Sequence, residues 1–386
     1  MNKLLYLVVD NIFKLLPLSN SLAYFSSFSG LYNDNPKYIS MKLHELYPHI
    51  KIIWVIDNRA NKKDIPNYIV RVKNGTVKQL FYKNRSKILV DNGAGLMNAF
   101  KGRWNIRMKT LKKRGQLDYT TWHGTPLKKI GRDVFTEGDF FYSTTTSFVF
   151  NSEYIARIFR KSFSDKIPIH LLGSPRNDIL FEKDCQKECE IRTKLGLPID
   201  KKIVIYAPTY RSENDNTTGK AFSVYIEAND VKRCLEAFQS RFGGEWVLVY
   251  RVHQFVLSVM SKDIDGITIF NGNLFDDMAE YLRVSDALIT DYSGSLFDYT
   301  LTGKPCFLYT PDAESYCGSR GIYIPLNELP YPQASVVDGL TEAILKYNEE
   351  EIMKKVTEFN IKLGMMDDGR ASERIVKLIA REAKID

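Results

Sequence analysis

The chain of 386 residues lacks several signatures that would place it in a common enzyme class. It contains no GxxxxGK[ST] loop, which argues against a P-loop kinase, and no GxGxxG after a first strand, which argues against a dinucleotide oxidoreductase. It has no HExxH and no cysteine cluster, so no metal site is predicted. The chemistry of this protein must therefore come from other polar residues, and we predict that it uses no cofactor.

Cysteine is scarce and irregularly spaced. The five residues are odd in number and form neither a zinc motif nor a disulfide framework: Cys185, Cys189, Cys234, Cys306 and Cys317. This pattern fits a reducing cytoplasm. The apolar opening of the chain is interrupted by Asp10, is too short to span a bilayer and has no cleavage site for a signal peptide.

Acidic residues are outnumbered by basic ones, 46 against 54, which gives a net charge of +8. The excess is concentrated between Lys101 and Arg132, where ten Lys and Arg accompany one acid, Asp118. A solvated basic surface would explain this stretch, but its position beside the strongest motif favours an anionic substrate or lipid. No nucleic-acid signature accompanies the charge, so nucleic acid is not an expected partner.

The first sixteen residues have the pattern of an amphipathic helix. Leu4, Val8, Ile12 and Leu15 recur at helical spacing, while Asp10 and Lys14 lie on another face. Such a helix either packs on its own domain or lies on an anionic membrane surface. The second alternative predicts a peripheral protein at the cytoplasmic face of the membrane.

Apolar strand patterns alternate with helical stretches along the whole chain, which predicts an α/β fold with parallel sheets. The alternation loosens around a charged helix at Glu182–Gly196 and then restarts at Lys202–Tyr206. A chain of this length exceeds one compact core. We therefore predict two domains, residues 1–190 on the acceptor and membrane side and residues 191–386 on the donor side, the latter including the C-terminal helices.

The strongest candidate for chemistry is His123, within the sequence TWHGTPL at residues 121–127. Gly124 permits a tight turn and Pro126 restricts it, so the imidazole is presented from a rigid loop. Histidine accepts a proton near neutral pH, which suits the activation of a hydroxyl. A structural histidine in a loop is the alternative.

Three further clusters follow predicted strands, where ligands bind in open α/β sheets. Arg251 and His253 alternate after the strand that begins at Trp246, so both side chains share one face and are suited to phosphate oxygens. Ser293 and Ser295 follow the strand Ala287–Thr290 and begin a helix, whose N-terminus can bind phosphate or can be capped by these serines.

The remaining cluster is weaker when taken alone. Pro208, Thr209 and Arg211 follow the strand at Lys202–Tyr206 and are suited to shaping a nucleotide pocket. Arg176, in the sequence GSPRND at residues 173–178, is a similar candidate.

Together these motifs resemble the CDP-glycerol glycerophosphotransferase family of teichoic-acid or capsule synthesis. The resemblance covers most of the chain and is carried by TWHGTPLK at 121–128, APTYR at 207–211, RVH at 251–253, TDYSGS at 290–295, FDY at 297–299, KP at 304–305 and DGRAS at 368–372. The segment Ser26–Tyr38 also resembles the first strand and loop of that family. Gly294 stands where many relatives carry a second serine.

This resemblance implies a fold of two Rossmann-like domains that face a cleft, as in GT-B glycosyltransferases. It implies transfer of glycerol phosphate from CDP-glycerol to a hydroxyl of a lipid-linked saccharide or growing polymer, with release of CMP. It implies that His123 is the base and that His253 contacts the donor pyrophosphate, so both are expected catalytic residues. The residues expected to contact the donor are His123, Gly124, Thr125, Pro126, Leu127, Arg176, Pro208, Thr209, Arg251, His253, Ser293, Gly294, Ser295 and Asp298.

Other functions remain open at this stage. The motifs are expected to contact the CDP part of the donor and not its alditol, so a CDP-ribitol-dependent enzyme is compatible with them. A nucleotide-sugar glycosyltransferase of the same fold and a non-catalytic protein that binds anionic membrane are further alternatives. The length resembles that of enzymes that add a first glycerol phosphate, but it does not separate a primase from a polymerase. The oligomeric state is also left open.

Overall fold

The computed structural model describes residues 3–27, 30–58, 60–93, 112–134, 145–209, 211, 228–251, 262–264 and 267–385. Strands in this part of the chain form two seven-stranded sheets, each covered by helices. The α/β class predicted from the alternating pattern is confirmed.

The first sheet is wholly parallel and has the order β3-β2-β1-β4-β5-β6-β7. Its strands are β1 Ser19–Phe25, β2 Lys51–Ile56, β3 Val70–Lys73, β4 Ser86–Asp91, β5 Leu117–Thr120, β6 Ser147–Phe150 and β7 Ile169–Leu171. The helices before and between them are α1 Lys3–Lys14, α2 Asp34–Leu46, α3 Val77–Arg85 and α4 Glu153–Ser162.

The second sheet has the order β10-β11-β9-β8-β12-β13-β14, and only the edge strand β10 is antiparallel to its neighbour. Its strands are β8 Lys202–Ala207, β9 Trp246–Tyr250, β10 Lys262–Ile264, β11 Ile267–Asn271, β12 Ala287–Thr290, β13 Cys306–Tyr309 and β14 Gln333–Ala334. The remaining helices are α5 Asp178–Phe181, α6 Cys185–Leu195, α7 Ala228–Phe242, α8 Met278–Val284, α9 Ser295–Tyr299, α10 Ala313–Arg320, α11 Val337–Leu345, α12 Glu349–Leu363 and α13 Ala371–Ala383.

The two sheets share the doubly wound strand order of a Rossmann fold, with the reversal between β1 and β4 in the first and between β8 and β12 in the second. Loops at the carboxyl ends of the strands flanking such a reversal form the usual ligand site of an open α/β sheet. The two reversal points face each other, because Arg176 bonds Asp298 across the gap and Asn33 bonds the carbonyl of Asp276. The ligand cleft therefore lies between the sheets.

Local sequence signals explain several helix ends. Asp184 caps α6 by accepting from the Lys187 amide, and Gly196 ends this helix in the left-handed conformation, where a side chain would be strained. Gly364 ends α12 in the same way. Residues Ser26–Tyr38 differ from the expected first strand, since β1 ends at Phe25 and α2 begins at Asp34.

The last helix lies on the first sheet, although the sequence-based division assigns the C-terminal helices to the second domain. Ile375, Val376 and Ile379 of α13 are fully buried in the core of the first sheet, and the Tyr119 hydroxyl donates to Glu382 at 2.6 Å. By contrast, α12 contributes Ile352 to the core of the second sheet, as expected. The chain returns to the first domain because α13 has a strongly apolar face that the second sheet does not cover. The division at residue 190 itself stays a prediction.

Candidate active site

The loop after β5 presents His123 from a constrained backbone. Trp122 has φ of 56° and Gly124 has φ of 131°. A left-handed conformation costs a residue other than glycine about 1–2 kcal/mol, so the surroundings must stabilise it. The Trp122 ring packs on Phe159 and Phe163, with centroid distances of 5.2 and 5.8 Å. The rigid presentation of the imidazole expected from the TWHGTP sequence is thus observed.

The imidazole of His123 is oriented by the first reversal point. Its Nδ1 lies 2.9 Å from the carbonyl oxygen of Asn92, which follows β4. Since a carbonyl only accepts, Nδ1 carries the proton, and Nε2 is the basic nitrogen of the neutral ring. Protein atoms surround much of the imidazole, although the residue keeps an exposed surface. This burial lowers the pKa of His123, although the Asn92 carbonyl and the Asp34 carboxylate act in the opposite direction. His123 is therefore neutral at pH 7 and able to accept a proton.

The next residues of this loop cross to the second domain. Leu127 is buried in the core of the second sheet, and its carbonyl accepts from the Tyr323 amide at 2.8 Å. The Pro126 carbonyl accepts from the Tyr154 hydroxyl at 2.8 Å. Thr125 lies so close to the loop after β12 that a Cβ on Gly294 would come 3.0 Å from its carbonyl oxygen. Glycine at 294 permits this close approach of the two loops.

Arg176 forms ion pairs with residues of both domains. Its Nη1 lies 2.9 Å from Asp34 on the first domain, and its Nη2 lies 2.7 Å from Asp298 on the second. Asn177 also donates to Asp298, at 3.2 Å. The guanidinium is close to the His123 loop, because a Cβ on Gly124 would lie 3.1 Å from its Nη2. In this conformation the partners of Arg176 are carboxylates from both domains.

The loop after β12 brings Ser293, Gly294 and Ser295 to the cleft, where all three are partly exposed. The Ser293 hydroxyl accepts from the Ser295 amide at 3.3 Å and from the Ser295 hydroxyl at 2.9 Å. The helix that follows, α9, has five residues. The N-cap position of α9 is Gly294 and forms no side-chain cap bond, so the two serines bond each other in this conformation and the choice between capping and ligand binding stays open.

The segment after β8 is fixed by buried charge. Asp291 accepts from the Thr209 amide at 2.8 and 2.9 Å and forms an ion pair with Arg211 at 2.8 Å. Arg211 also pairs with Asp312 at 2.8 Å, and its side chain is only 1% exposed. Arg211 thus binds other residues of the protein and fixes this segment. The predicted role of Pro208 and Thr209 at a nucleotide pocket stays a prediction, and Tyr210 falls outside the described residues.

Arg251 was expected to bind phosphate oxygens, but in this structure its guanidinium binds backbone carbonyls. Its guanidinium donates to the carbonyls of Gly272, Phe275 and Asp276, with the last two at 2.9 and 3.0 Å. It thereby holds the loop between β11 and α8 against β9. His253, the predicted partner of Arg251, lies outside the described residues, so its role stays a prediction.

Two residues of the site were missed by sequence reasoning. Asp34 bonds both Arg176 and Asn92, and Asn92 supplies the carbonyl that orients His123. Both follow strands that flank the first reversal point, β1 and β4. The Asn-Gly turn after β4 was visible in the sequence, but its relation to His123 depends on the order of the strands.

The described residues offer neither a metal site nor a membrane-spanning helix. No group of three or more His, Cys, Asp or Glu side chains there is arranged to hold a metal ion. No helix in the same ranges has the length and apolar character that crossing a bilayer requires.

Known proteins resemble this chain over nearly its whole length. Residues 9–381 match the family described as CDP-Glycerol:Poly(glycerophosphate) glycerophosphotransferase. A teichoic acid poly(glycerol phosphate) polymerase of Bacillus spizizenii is 30% identical over 97% of this chain and 95% of that protein. A teichoic acid glycerol-phosphate transferase of Staphylococcus aureus is 29% identical over 98% of each. A teichoic acid poly(glycerol phosphate) polymerase of Staphylococcus epidermidis is 30% identical, and the chain spans 50% of its length.

Solved structures confirm the predicted arrangement of two Rossmann-like domains. The wall teichoic acid polymerase TagF superposes with a TM-score of 0.79 at 26% identity, covering 98% of this chain and 94% of that one. A UDP-GlcNAc 2-epimerase from Methanocaldococcus jannaschii has a TM-score of 0.52 at 12% identity and shares the fold alone.

Proposed function

The chain belongs to the CDP-glycerol:poly(glycerophosphate) glycerophosphotransferase family, and we propose from this premise that it transfers glycerol phosphate from CDP-glycerol to a hydroxyl acceptor, releasing CMP. One observation supports the proposal above the others. The loop of His123 on the first domain meets the Ser293–Ser295 loop of the second across the cleft, with Gly294 against Thr125. A proton acceptor is thereby brought next to the expected phosphate site.

The proposed reaction is an in-line displacement at phosphorus. The acceptor oxygen attacks the phosphorus that bears glycerol, the bond from that phosphorus to the CMP oxygen breaks, and Nε2 of His123 takes the hydroxyl proton. Positioning and neutralisation of charge supply most of the acceleration in phosphoryl transfer. Arg176, His253 and the Ser293–Ser295 loop are proposed to contact the donor phosphates. Arg176 must then exchange a carboxylate partner for phosphate when the donor binds.

Glycerol is favoured over ribitol as the alditol. Four relatives named for glycerol phosphate match 93% to 98% of this chain at 27% to 30% identity, and a glycerol-phosphate primase matches 62% of it at 27%. Relatives named as ribitol-phosphate polymerases match 53% to 61% of it. The proposed acceptor is a lipid-linked saccharide or a growing teichoic-acid chain, since relatives of nearly the full length include both a polymerase and a transferase.

The donor is tested by incubating the protein with CDP-glycerol, CDP-ribitol or a UDP-sugar and a lipid-linked acceptor. We expect CMP release with CDP-glycerol and little with the other two. UDP release without CMP would contradict the proposal. CMP release with CDP-ribitol alone would change the assigned donor from CDP-glycerol to CDP-ribitol. Parallel reactions with EDTA or added Mg²⁺ test the expectation that no cofactor is needed. Loss of turnover in EDTA would contradict that expectation.

The proposed site of action is the cytoplasmic surface of an anionic membrane. On α1, Leu5, Val8 and Ile12 are 50%, 48% and 54% exposed, whereas Tyr6 and Asp10 are buried. The helix thus packs on its domain through Tyr6, Asp10 and Phe13, whose ring lies 5.7 Å from that of Phe81, and it leaves an outward face with three exposed apolar side chains. This orientation suits insertion of the apolar side chains into a lipid interface.

Two cations lie at the end of this apolar stripe. Lys113 donates through Nζ to the carbonyl of Leu16, and Arg85 donates to that of Pro17 at 2.8 Å. Basic residues beside an exposed apolar helix face strengthen binding to anionic lipid.

A further inference from the structure

The side chain of Asp34 lies at the centre of the cleft wall but has no assigned role. It is the first residue of α2, and it has φ of 59°, a left-handed conformation rare for residues other than glycine. Trp122, beside His123, is a second residue with such a positive φ. Backbone strain of this kind persists where surrounding contacts demand a particular position of the side chain.

Contacts from three directions hold the Asp34 carboxylate. One oxygen accepts from Arg176 Nη1 at 2.9 Å and from the Asn35 amide at 2.8 Å. The other oxygen accepts from Asn92 Nδ2 at 2.8 Å. The side chain is 13% exposed, so these bonds are largely shielded from water.

Asn92 connects this carboxylate to the proton acceptor. The Asn92 side chain is fully buried and donates to Asp34, while the carbonyl of the same residue accepts from His123 Nδ1 at 2.9 Å. The position of the Asn92 peptide, and with it the tautomer of His123, is thereby coupled to Asp34.

The charges facing His123 come from three elements. Asp34 on α2 is the anion, while Arg176 after β7 and Lys128 on the histidine's own loop are cations. Asp34 raises the pKa of His123, and the two cations lower it. Without this carboxylate the imidazole would face two positive charges and would be a weaker base.

We propose that Asp34 is a positioning residue for the reaction: acting through Asn92, it keeps His123 in the Nδ1–H tautomer and offsets the charge of Arg176 and Lys128. Because Arg176 also bonds Asp298, the same carboxylate links the orientation of His123 to the position of the donor domain. The catalytic consequence of this inference rests on the proposed function. The coupling between Asp34 and His123 is independent of that function.

Asp34→Asn tests the proposal with little change of shape. Asparagine tolerates the left-handed conformation and retains one acceptor, but it removes the charge. We expect kcat for CMP release to fall on the order of tenfold to a hundredfold, the scale for a misplaced catalytic group, while KM for the donor changes less than about threefold. The acidic limb of the kcat/KM profile should move to lower pH, because loss of the anion lowers the pKa of His123.

The matched control is Asp338→Asn, whose side chain is 80% exposed on α11. Its kcat and pH profile should equal those of the unmodified protein. If Asp34→Asn melts below the assay temperature, Asp34→Gly replaces it, since glycine adopts the positive φ without strain and also lacks the carboxylate.

A direct titration separates this proposal from the proposed function. Proton NMR of the His123 imidazole, assigned by its loss in His123→Gln, should give a lower pKa in Asp34→Asn than in the unmodified protein. This shift is expected even if CDP-glycerol yields no CMP, a result that would overturn the donor assignment alone. An unchanged His123 pKa, together with an unchanged pH profile and only a lower melting temperature, would overturn the role of Asp34.

Discussion

His123 combines a constrained loop with a controlled tautomer. The Asn92 carbonyl fixes the proton on Nδ1, and enclosure by the two domains lowers the pKa of His123 below its ordinary value of 6.5. A base with these properties needs no further activation at neutral pH.

The pH dependence of the reaction follows from this environment. Protonated His123 cannot accept the hydroxyl proton, so kcat/KM should fall as pH decreases through the pKa of His123 and should be constant between pH 7 and 8. The kcat/KM profile reports the free protein, the state in which this environment is described. A profile that is still rising steeply above pH 7.5 would contradict the assignment of His123 as the base.

At the scale of residues, the sequence indicates which side chains carry the chemistry more reliably than it indicates which residues they contact. The glycine and proline around His123 restrict a turn, and this local signal indicated a presented imidazole before any fold was known. No comparable local pattern in the sequence shows which groups an arginine will bind. Arg251 was expected at phosphate and Arg211 beside a nucleotide pocket, yet in this structure Arg251 binds backbone carbonyls and Arg211 binds Asp291 and Asp312. Asp34 was missed because its role depends on a positive φ and on two residues distant in sequence.

Strands and helices with continuous apolar patterns were predicted from sequence, whereas the short polar strands were not. The strand predicted at Ala287–Thr290 has those bounds in the structure, and the strand predicted at Lys202–Tyr206 extends by one residue, to Ala207. The strand β5, with the sequence LDYT, contains the buried Asp118, and β3, with the sequence VRVK, carries two cations. A strand of four residues that owes its place to neighbouring strands leaves little trace in its own sequence.

The first turn of α2 ties the two domains together beside the site. Lys37 forms ion pairs of 2.7 Å with both Asp277 and Glu280 of the second domain, and its side chain is 5% exposed. Tyr38 donates to Asp277 at 2.8 Å. Both carboxylates are buried, so each needs a compensating cation: Asp277 has Lys37, and Glu280 has Lys37 and Lys194.

Substituting Lys37→Met should therefore be strongly destabilising. The substitution leaves the buried Asp277 without its cation, while Glu280 keeps Lys194 at 2.7 Å, and it is expected to lower the free energy of unfolding by about 3–5 kcal/mol. Lys42→Met on the same helix is the control, because Lys42 pairs with the exposed Glu45 and such pairs contribute about 1 kcal/mol or less. Urea unfolding of both variants measures the difference, and equal midpoints would refute a stabilising role for the buried cluster.

At the scale of the molecule, the repeated strand order explains where the site lies. Each sheet reverses its order once, and the two reversal points face each other, so motifs distant in sequence meet at one cleft. Alternating patterns in the sequence predict two such domains. They do not predict that α13 returns to the first sheet, because an amphipathic helix shows which face is buried but not which surface buries it.

The outward apolar face of α1 predicts binding to anionic vesicles. Replacing Val8 and Ile12 together by serine should weaken binding to phosphatidylglycerol vesicles by roughly tenfold or more, since each buried aliphatic side chain contributes about 1.5–3 kcal/mol. Ile361→Ser is a control, because Ile361 is 74% exposed on α12, away from this face. Vesicle sedimentation at low and high salt measures both the apolar and the charge contributions. Equal binding of the double variant and the unmodified protein would show that α1 is not the membrane contact.

The central claim is that His123 accepts the proton in transfer of glycerol phosphate from CDP-glycerol, and CMP release by His123→Ala tests it most directly. His49→Ala is the control, since His49 is exposed on the first domain. We expect turnover to fall by about 100-fold or more in His123→Ala, the usual scale for loss of a general base, and to be unchanged in His49→Ala. Near-normal turnover in a folded His123→Ala variant would contradict the account.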